Sequence, residues 1–504
     1  MNAITIKSDI KKANRAIEEN FGNCADDPYR PVYHPIAPHG WMNDPNGLIY
    51  IDGWYHVFYQ WNPYGSEWGN MHWGHMRSRN LHEWEHLPTA LVPEKNYEPD
   101  GCFSGSAVWH QEKLHLFYTG NQFKPEKHPH YDGRIAVQYQ CVATSENNVY
   151  FTKNEENPII DQAPENGTLC DFRDPKVWRE NDHWMMILGS RNDSKGELVI
   201  YKSSDLISWE YDSRIVGADE TLGYMWECPD WVKLSGKTVT LFSLLGAEKY
   251  DRKNVSGYIV GNMHEVPSEA FELIDYGPHF YAPQTFYGLE EKPLLIGWVP
   301  MPQLNPESHT WSGCLTLPRS LSLSDSGKVQ SRPTGGFEKF RECQNAHANV
   351  EIKPQTPIRM NGDVVELALR FKSKNVRDLC IKLKASNDLS EYTAVKIDCS
   401  KNQILLDWSK SGVDSSQPFE CTSAVYNFSE SDVKDSFDIR LFIDKSVVEI
   451  YAMDGQCVMS ASIPSDPGHK MIEISSATQN SCIDEIKLYE IHPSVHTLNL
   501  EETI

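Results

Sequence analysis

LIYIDGWYHVFYQ, residues 48–60, is two apolar runs on either side of Asp52-Gly53. Alternating runs flanking an Asp-Gly pair predict a β-hairpin with a tight turn. The design recurs as AVWHQEKLHLFYTG at 107–120, KVWRENDHWMMILGS at 176–190, DWVKLSGKTVTLFSLLG at 230–246 and QTFYGLEEKPLLIGWVP at 284–300. The segments after the hairpins recur as well. SRNLHEWE at 78–85 and SSDLISWE at 203–210 share Ser, Leu, Trp and Glu at a constant offset of 125, and TSENNVYFTK at 144–153 is a looser copy. Each unit reads as a hairpin, a third strand, a polar turn and an outer strand. Five such units with almost no helical periodicity between them predict a five-bladed β-propeller, in preference to a β-sandwich of five hairpins.

Past Pro333 the pattern changes. GFEKFREC, 336–343, reads as a short helix or linker. VVELALRFKS (364–373), LCIKLKAS (379–386), YTAVKIDCS (392–400) and DIRLFIDKSVVEIYAMDGQCVMSASI (438–463) then come at close spacing. Such strand–turn spacing with alternating polarity predicts an antiparallel β-sandwich. At the other end, Ser8 is placed as an N-cap with Ile10, Ala13 and Ile17 on one face of a short helix running to Phe21. The expected fold class is all-β: an N-terminal helical extension at 1–28, the propeller at 29–338, a linker at 339–349 and the sandwich at 350–504.

The 504 residues carry 47 Lys and Arg against 70 Asp and Glu, a net charge of −23. That balance excludes a general nucleic-acid binder or an anionic-membrane binder, which need a positive surface. No window approaches 18 consecutive apolar residues, so no membrane span is expected. The start of the chain has no apolar run of signal-peptide length. Twelve cysteines are scattered from Cys24 to Cys482 without a CxxC pair. They read as free thiols in a reducing cytoplasm, with no zinc or thioredoxin pattern. His72 and His75 in MHWGH lack a third ligand and read as structural, so no metal site is assigned. No GxGxxG follows a strand and there is no P-loop, so no cofactor is expected.

The chemistry-bearing residues stand just before each hairpin. They are Trp41-Met42-Asn43-Asp44-Pro45-Asn46-Gly47, Cys102-Phe103-Ser104-Gly105, Phe172-Arg173-Asp174-Pro175, Trp226-Glu227-Cys228-Pro229-Asp230 and Tyr281-Ala282-Pro283-Gln284. The first strand of every propeller blade lines the central axis, so these entrances converge on one funnel. Taken singly, each acid reads as a turn or strand-cap residue, and Asp before Pro is a common turn initiator. At equivalent repeat positions, Asp44, Asp174 and Glu227 read together as a site. Three carboxylates serve either an oxygen-ligand metal site or glycoside hydrolysis, which needs one carboxylate nucleophile or base and one acid. A close-spaced D-x-D-x-D-G run is absent, and Trp41, Trp68, Trp226 and Trp298 lie near the motifs. Both features favour a sugar, whose C–H faces stack on rings.

WMNDPNG at 41–47, FYQ at 58–60, FSG at 103–105, FRDP at 172–175, WECPD at 226–230 and APQ at 282–284 resemble the signature blocks of glycoside hydrolase family 32. That family comprises invertases, β-fructofuranosidases, sucrose-6-phosphate hydrolases, levanases and inulinases. The likeness spans about residues 30–335, and DKSVVEIYAMDG resembles the family's sandwich module. It implies the same fold: a five-bladed propeller followed by a C-terminal antiparallel β-sandwich. It further implies a retaining hydrolase cleaving terminal β-D-fructofuranosides, chiefly sucrose and short fructo-oligosaccharides. Asp44 would attack the anomeric C2, and Glu227 would protonate the leaving oxygen and then activate water. Asp174 would bind fructose hydroxyls and stabilise the oxocarbenium-like transition state. Retention calls for Asp44 and Glu227 carboxyls about 5–5.5 Å apart. Glu227 is expected to hold the proton in an apolar setting beside Trp226 and Cys228, and Asp44 to stay ionised with help from donors such as Asn43.

The remaining matches imply binding roles. Trp41, Met42, Asn43, Gln60, Phe103, Ser104, Arg173 and Tyr281 would line the fructose subsite, with Trp68 and Trp298 as walls. Sucrose 6-phosphate is the alternative substrate, and basic residues such as Lys124, Lys127, His128, His130 or Arg134 at the rim would mark it. A catalytically silent fructan-binding module is the alternative of another class, and the intact triad argues against it. The expected partners are a small sugar and, through exposed sandwich strands, a second copy in a homodimer.

Overall fold

The computed structural model describes residues 8–500 apart from 126–134, 166, 248, 251, 253, 303, 305–306, 335, 413–420, 430–431, 433–435 and 477–479. Five mainly antiparallel sheets are built on the span from Gly40 to Pro333, and their innermost strands follow the repeat in order. These are Gly40–Ile51, Cys102–His110, Phe172–Glu180, Met225–Leu234 and Tyr281–Thr285. Each packs against the innermost strand of the next sheet, and the fifth packs against the first. The ring is therefore closed, and the units are the five blades of a propeller.

The turns form for the reasons the sequence supplies. Asp52 and Gly53 both have positive φ, 52° and 77°, the geometry that matches strand twist in a two-residue hairpin. Ser235 and Gly236 do the same at 50° and 78° in the fourth blade. The two motifs at an offset of 125 fold into one structure. Ser78 Oγ accepts from Leu81 N, and Ser203 Oγ accepts from Leu206 N. Asn80 and Asp205 cap the two following amides in the same way, and both leucines take left-handed φ, 62° and 72°.

The helix Ser8–Asn20 buries Ile10, Ala13 and Ile17 against the first blade, in one cluster with Met42, Trp61 and Trp84. Thr89 N donates to Asn14 Oδ1 across that contact. The outer strand of this blade, Trp84–Leu91, is extended by a parallel strand from the far end of the chain, His496–Leu498.

Two six-stranded sheets come after the propeller and enclose one apolar cluster from Ile352 to Leu488, a sandwich. Most of the stretch expected as a linker, 339–349, is a strand. Arg341–Ile352 pairs along its length with Ser481–Ile491 at the edge of one sheet. Its residues from Glu342 to Ala348 are exposed. With neither face buried, the strand leaves no alternation for sequence to reveal.

A buried ion network joins the two parts. His34 is held between Asp444 (Nδ1–Oδ2 2.8 Å) and Glu449 (Nε2–Oε1 3.0 Å). Arg319 donates to Asp275 Oδ2 at 2.9 Å and also to Glu449 Oε2, and Ser460 Oγ bridges Arg319 and Asp275. Burial opposes the charged form of His34, yet hydrogen bonds to Asp444 and Glu449 carry its pKa up to about 9. Its stabilising contribution is therefore complete below the ordinary histidine range and lost as pH rises through about 9. Removing one partner of such a network leaves bare charge in the interior. We expect Arg319→Leu to lower the unfolding free energy by about 3–5 kcal/mol. Unchanged denaturant unfolding of that variant would contradict the reading.

Candidate active site

Every innermost strand breaks its ladder at the same place. The register shifts between Met42 and Pro45, Phe103 and Gly105, Glu227 and Asp230, and Tyr281 and Gln284. In the third blade the shift falls between Arg173 and Lys176. Proline stands inside three of these bulges, at 175, 229 and 283, and closes the first at 45. It has no N–H to give the ladder and is tolerated within a sheet at such irregularities. The second blade has Gly105 instead, where a Cβ would lie 1.9 Å from Phe117 O. Each bulge turns the residue ahead of it toward the axis. Those residues are Asp44, Ser104, Asp174, Cys228 and Ala282, and the last three have φ of 67°, 45° and 50°.

Amides released from the ladder find side-chain acceptors. Asp174 N donates to Thr119 Oγ1 (3.0 Å), Cys228 N to Asp174 Oδ2 (2.9 Å) and Ala282 N to Ser243 Oγ (3.2 Å). The hub side chains meet one another. Ser104 Oγ donates to Asp44 Oδ2 at 2.5 Å, and Asn43 Nδ2 to Asp44 Oδ1 at 3.1 Å. Cys228 Sγ lies 3.5 Å from both Asp44 Oδ2 and Asp174 Oδ2. Glu227 comes from one residue before the hub. Its Oε1 accepts from Arg173 Nε (2.9 Å) and Nη2 (2.7 Å), and its Oε2 from Tyr281 Oη (2.7 Å).

Beneath these groups the axis is sealed. Lys176 Nζ donates to Asp230 Oδ2 (2.9 Å) and Thr285 O (2.8 Å), tying three blades together. Gln284 Nε2 reaches Gly105 O at 3.1 Å, and Ser106 Oγ reaches Pro175 O at 2.7 Å. The cluster therefore sits at the floor of a funnel open on one side.

Burial shifts the acids. Asp44 is raised by burial, helped by the charge of Glu227 and opposed by the hydrogen bonds from Ser104 and Asn43. Asp174 is raised most, to about 7: burial leads, the Arg173 guanidinium opposes, and the Glu227 and Asp44 carboxylates add to the rise. Burial, with the three acids adding, pushes the Cys228 thiol up, so it stays a thiol that donates. The setting expected for Glu227 differs. Trp226 is fully buried and stacks on Phe242 with 4.5 Å between ring centroids, and Cys228 faces Asp44 and Asp174. Strand alternation turns both away from Glu227, whose partners are Arg173 and Tyr281 instead.

The other expected residues mostly gather here. Trp41 Nε1 donates to Asn43 Oδ1 at 2.8 Å, and its ring lies 5.8 Å from that of Trp298. Gln60 is buried and donates to Cys102 O at 2.8 Å. Phe103 is half-buried and meets the exposed Trp68 edge-on at 6.0 Å. Met42 does not line the funnel. It is fully buried in the core beside the N-terminal helix, because alternation sends it opposite to Trp41 and Asn43. Lys124 donates to Gln122 Oε1, whereas Lys127, His128, His130 and Arg134 lie outside the described residues.

Two supporting residues escaped sequence reasoning. Asp171, fully buried, accepts from Arg173 Nη1 at 3.3 Å and pairs with Arg191 Nε at 2.8 Å. Gln138 Oε1 accepts from Arg173 Nη1 at 3.2 Å. Together they hold the guanidinium that grips Glu227. The position of Asp171 two residues before Arg173 was the one available signal, and it sits outside any repeat motif.

The chain matches two family models, "Glycosyl hydrolases family 32 N-terminal domain" over residues 34–333 and "Glycosyl hydrolases family 32 C terminal" over 336–490. It is 36% identical over 452 residues to a sucrose-6-phosphate hydrolase of Zymomonas mobilis, covering 84% of each chain. It is 30% identical over 506 residues to the raffinose invertase of Escherichia coli, covering 96% of this chain and 99% of that one. Among solved structures it resembles a Bombyx mori GH32 beta-fructofuranosidase, at 34% identity and a TM-score of 0.79, covering 96% of this chain and 99% of the other.

The raised Asp174 makes a stability prediction with a definite sign. The unfolded chain releases the Asp174 proton near the ordinary carboxylate range and the folded chain only near pH 7, so wild-type stability falls as pH rises across that window. Asp174→Asn removes the penalty. Its melting temperature relative to wild type should climb between about pH 4 and 7 and level off above. A difference that is flat with pH would remove Asp174 from the titrating cluster.

Proposed function

We propose residue roles for a chain that belongs to glycoside hydrolase family 32. The protein is a retaining hydrolase of terminal β-D-fructofuranosides, sucrose and short fructo-oligosaccharides among them, and works through a covalent fructosyl-enzyme intermediate. In our reading Asp44 is the nucleophile, Glu227 the acid and base, and Asp174 the ligand of fructose hydroxyls. One observation carries this assignment: three carboxylates come from three blades, Asp44 and Asp174 meeting at Cys228 and Glu227 held by Arg173, the neighbour of Asp174, and by Tyr281, so that each has its own set of donors.

In the first step an Asp44 oxygen forms a bond to C2 while the bond from C2 to the leaving oxygen breaks. The proton of Glu227 moves to that leaving oxygen. In the second step water gives a proton to Glu227 and its oxygen bonds to C2, and Asp44 departs as a carboxylate. Ser104 and Asn43 steady the Asp44 charge before attack and after release. Arg173 and Tyr281 fix the Glu227 carboxyl and stabilise the anion left after proton transfer. Asp174, whose affinity for a proton burial raises, hydrogen-bonds a fructose hydroxyl. Trp41, Trp298, Phe103 and Trp68 supply the ring faces and edges for the sugar. The intact cluster supports catalysis over a silent binding module.

The named relatives support a second substrate, sucrose 6-phosphate, which a comparison of kcat/KM for the two sugars decides. No helix among the described residues is long and apolar enough to cross a membrane. We place the enzyme in the cytoplasm, a reading supported by twelve cysteines scattered without a CxxC pair. The homodimer we propose joins along the exposed edge strand Arg341–Ile352, and a monomer mass in light scattering would reject it.

Asp44→Ala and Glu227→Ala should each lower kcat for fructose release from sucrose and raffinose by at least about 10²-fold. With methanol as acceptor the wild type should yield methyl β-D-fructofuranoside, the retained product. Wild-type turnover in either variant, or the α-anomer as initial product, would overturn the roles.

A further inference from the structure

Far from the funnel, the sandwich holds a lysine that its surroundings do not satisfy. Lys384 lies on the strand Asp378–Ala385 and is only 4% exposed. The pairing of that strand with Met471–Ser475 slips between Lys382 and Ala385, so Lys384 is the bulged residue. Its φ is 48°, a left-handed conformation that costs a side-chain-bearing residue of order 1 kcal/mol or more. Bulges of this kind re-aim a side chain, and strained residues concentrate where a ligand is met. Among the described residues no hydrogen bond or ion pair reaches the Lys384 side chain. The Lys384 stem is buried while its ammonium, without a partner in the protein, reaches solvent and is open to an anion arriving from there.

The groups in electrostatic reach of Lys384 are Asp363, Lys445, Lys470 and Asp444. Lys445 and Lys470 share one carboxylate oxygen, Asp363 Oδ2, at 3.0 and 3.3 Å. Asp444 is already committed. It accepts from the amides of Val32, Tyr33 and His34 and from the His34 ring. Lys445 and Lys470 thus already share Asp363, and Lys384 brings a third ammonium within electrostatic reach of that pair of contacts, in a chain whose overall charge is −23. Burial draws the pKa of Lys384 down to about 8, with Lys445 and Lys470 acting the same way against Asp363. Lys470 is half-exposed and Lys445 about a quarter exposed, so the cluster opens to solvent.

We propose that Lys384, Lys445 and Lys470 form a binding site for a small phosphate-class oxyanion between the two sheets of the sandwich, separate from the sugar funnel. The anion supplies the acceptors that Lys384 lacks. Lys445 directly follows Asp444, so an occupied site also braces the turn that clasps residues 32–34 of the propeller side.

The test is calorimetric titration of the intact protein with inorganic phosphate at constant ionic strength, up to about 20 mM, where a millimolar site is mostly filled. The wild type should give one saturable event, and chloride none. Lys384→Met should abolish it. That variant removes a charge without a partner and keeps the apolar stem, so it should fold at least as well as wild type and retain sucrose hydrolysis. Lys470→Gln, at the exposed mouth, should weaken the event several-fold. Glucose 6-phosphate in place of phosphate distinguishes an ester from the free ion: Lys384-dependent binding of either supports the site and names its source. No saturable event with either probe, or equal binding by wild type and Lys384→Met, would overturn it.

Discussion

A β-strand that contains proline cannot complete its ladder, and this protein places that defect at the hub of a ring. Four of the five innermost strands carry Pro at the bulge, and the fifth carries a glycine pressed against a neighbouring carbonyl. The defect sets the direction of the preceding side chain and frees an amide for a side-chain acceptor. Propeller symmetry then does the gathering. Asp44 and Asp174 lie far apart in sequence yet contact the same thiol, because both are the residue before proline in their own blade. Cys228 holds the third such position, and this explains a thiol at the centre of an acid cluster without redox chemistry. Glu227 stands one residue earlier and therefore enters from the side, where Arg173 and Tyr281 receive it.

Gathering acids in a buried place works against folding, and the structure offsets it locally. Ser104 and Asn43 serve Asp44, the Cys228 amide serves Asp174, and Arg173 serves Glu227. Arg173 needs its own restraint, supplied by Asp171 and Gln138. The floor of Lys176, Asp230 and Thr285 locks three blades together and keeps the axis from being a pore. The seam around Arg319 and His34 fastens the sandwich to the propeller with charges that are fully buried and mutually paired. Backbone strain is concentrated at the hub, in the left-handed conformations of residues 174, 228 and 282.

Much of this was legible because repetition amplifies weak signals. A single hairpin says little, but five at similar spacing, two of them with matching tails, define blades, and the two matched tails fold hydrogen bond for hydrogen bond alike. The three acids stood out for the same reason. The features that escaped notice lacked periodicity. The edge strand Arg341–Ile352 buries neither face, so it read as a linker. Met42 lies within a recognisable motif, yet a motif does not say which neighbours face the axis, and alternation buried it. The environment of Glu227 was misjudged because sequence neighbours on a strand point apart, and its true partners come from other blades. Asp171 and Gln138 act through Arg173 alone, a relation only three dimensions reveal.

The strand His496–Leu498 lies beside Trp84–Leu91, and His86 meets His496 across 410 residues of chain. During synthesis at about 5–20 residues per second, that interval lasts roughly 20–80 s. For that time the outermost strand of the first blade lacks its parallel neighbour and presents free amides and carbonyls to other nascent chains. The last partner of the first blade to be made thus emerges from the ribosome after the entire sandwich, and crowded polysomes give this protein its most dangerous moments for misassembly.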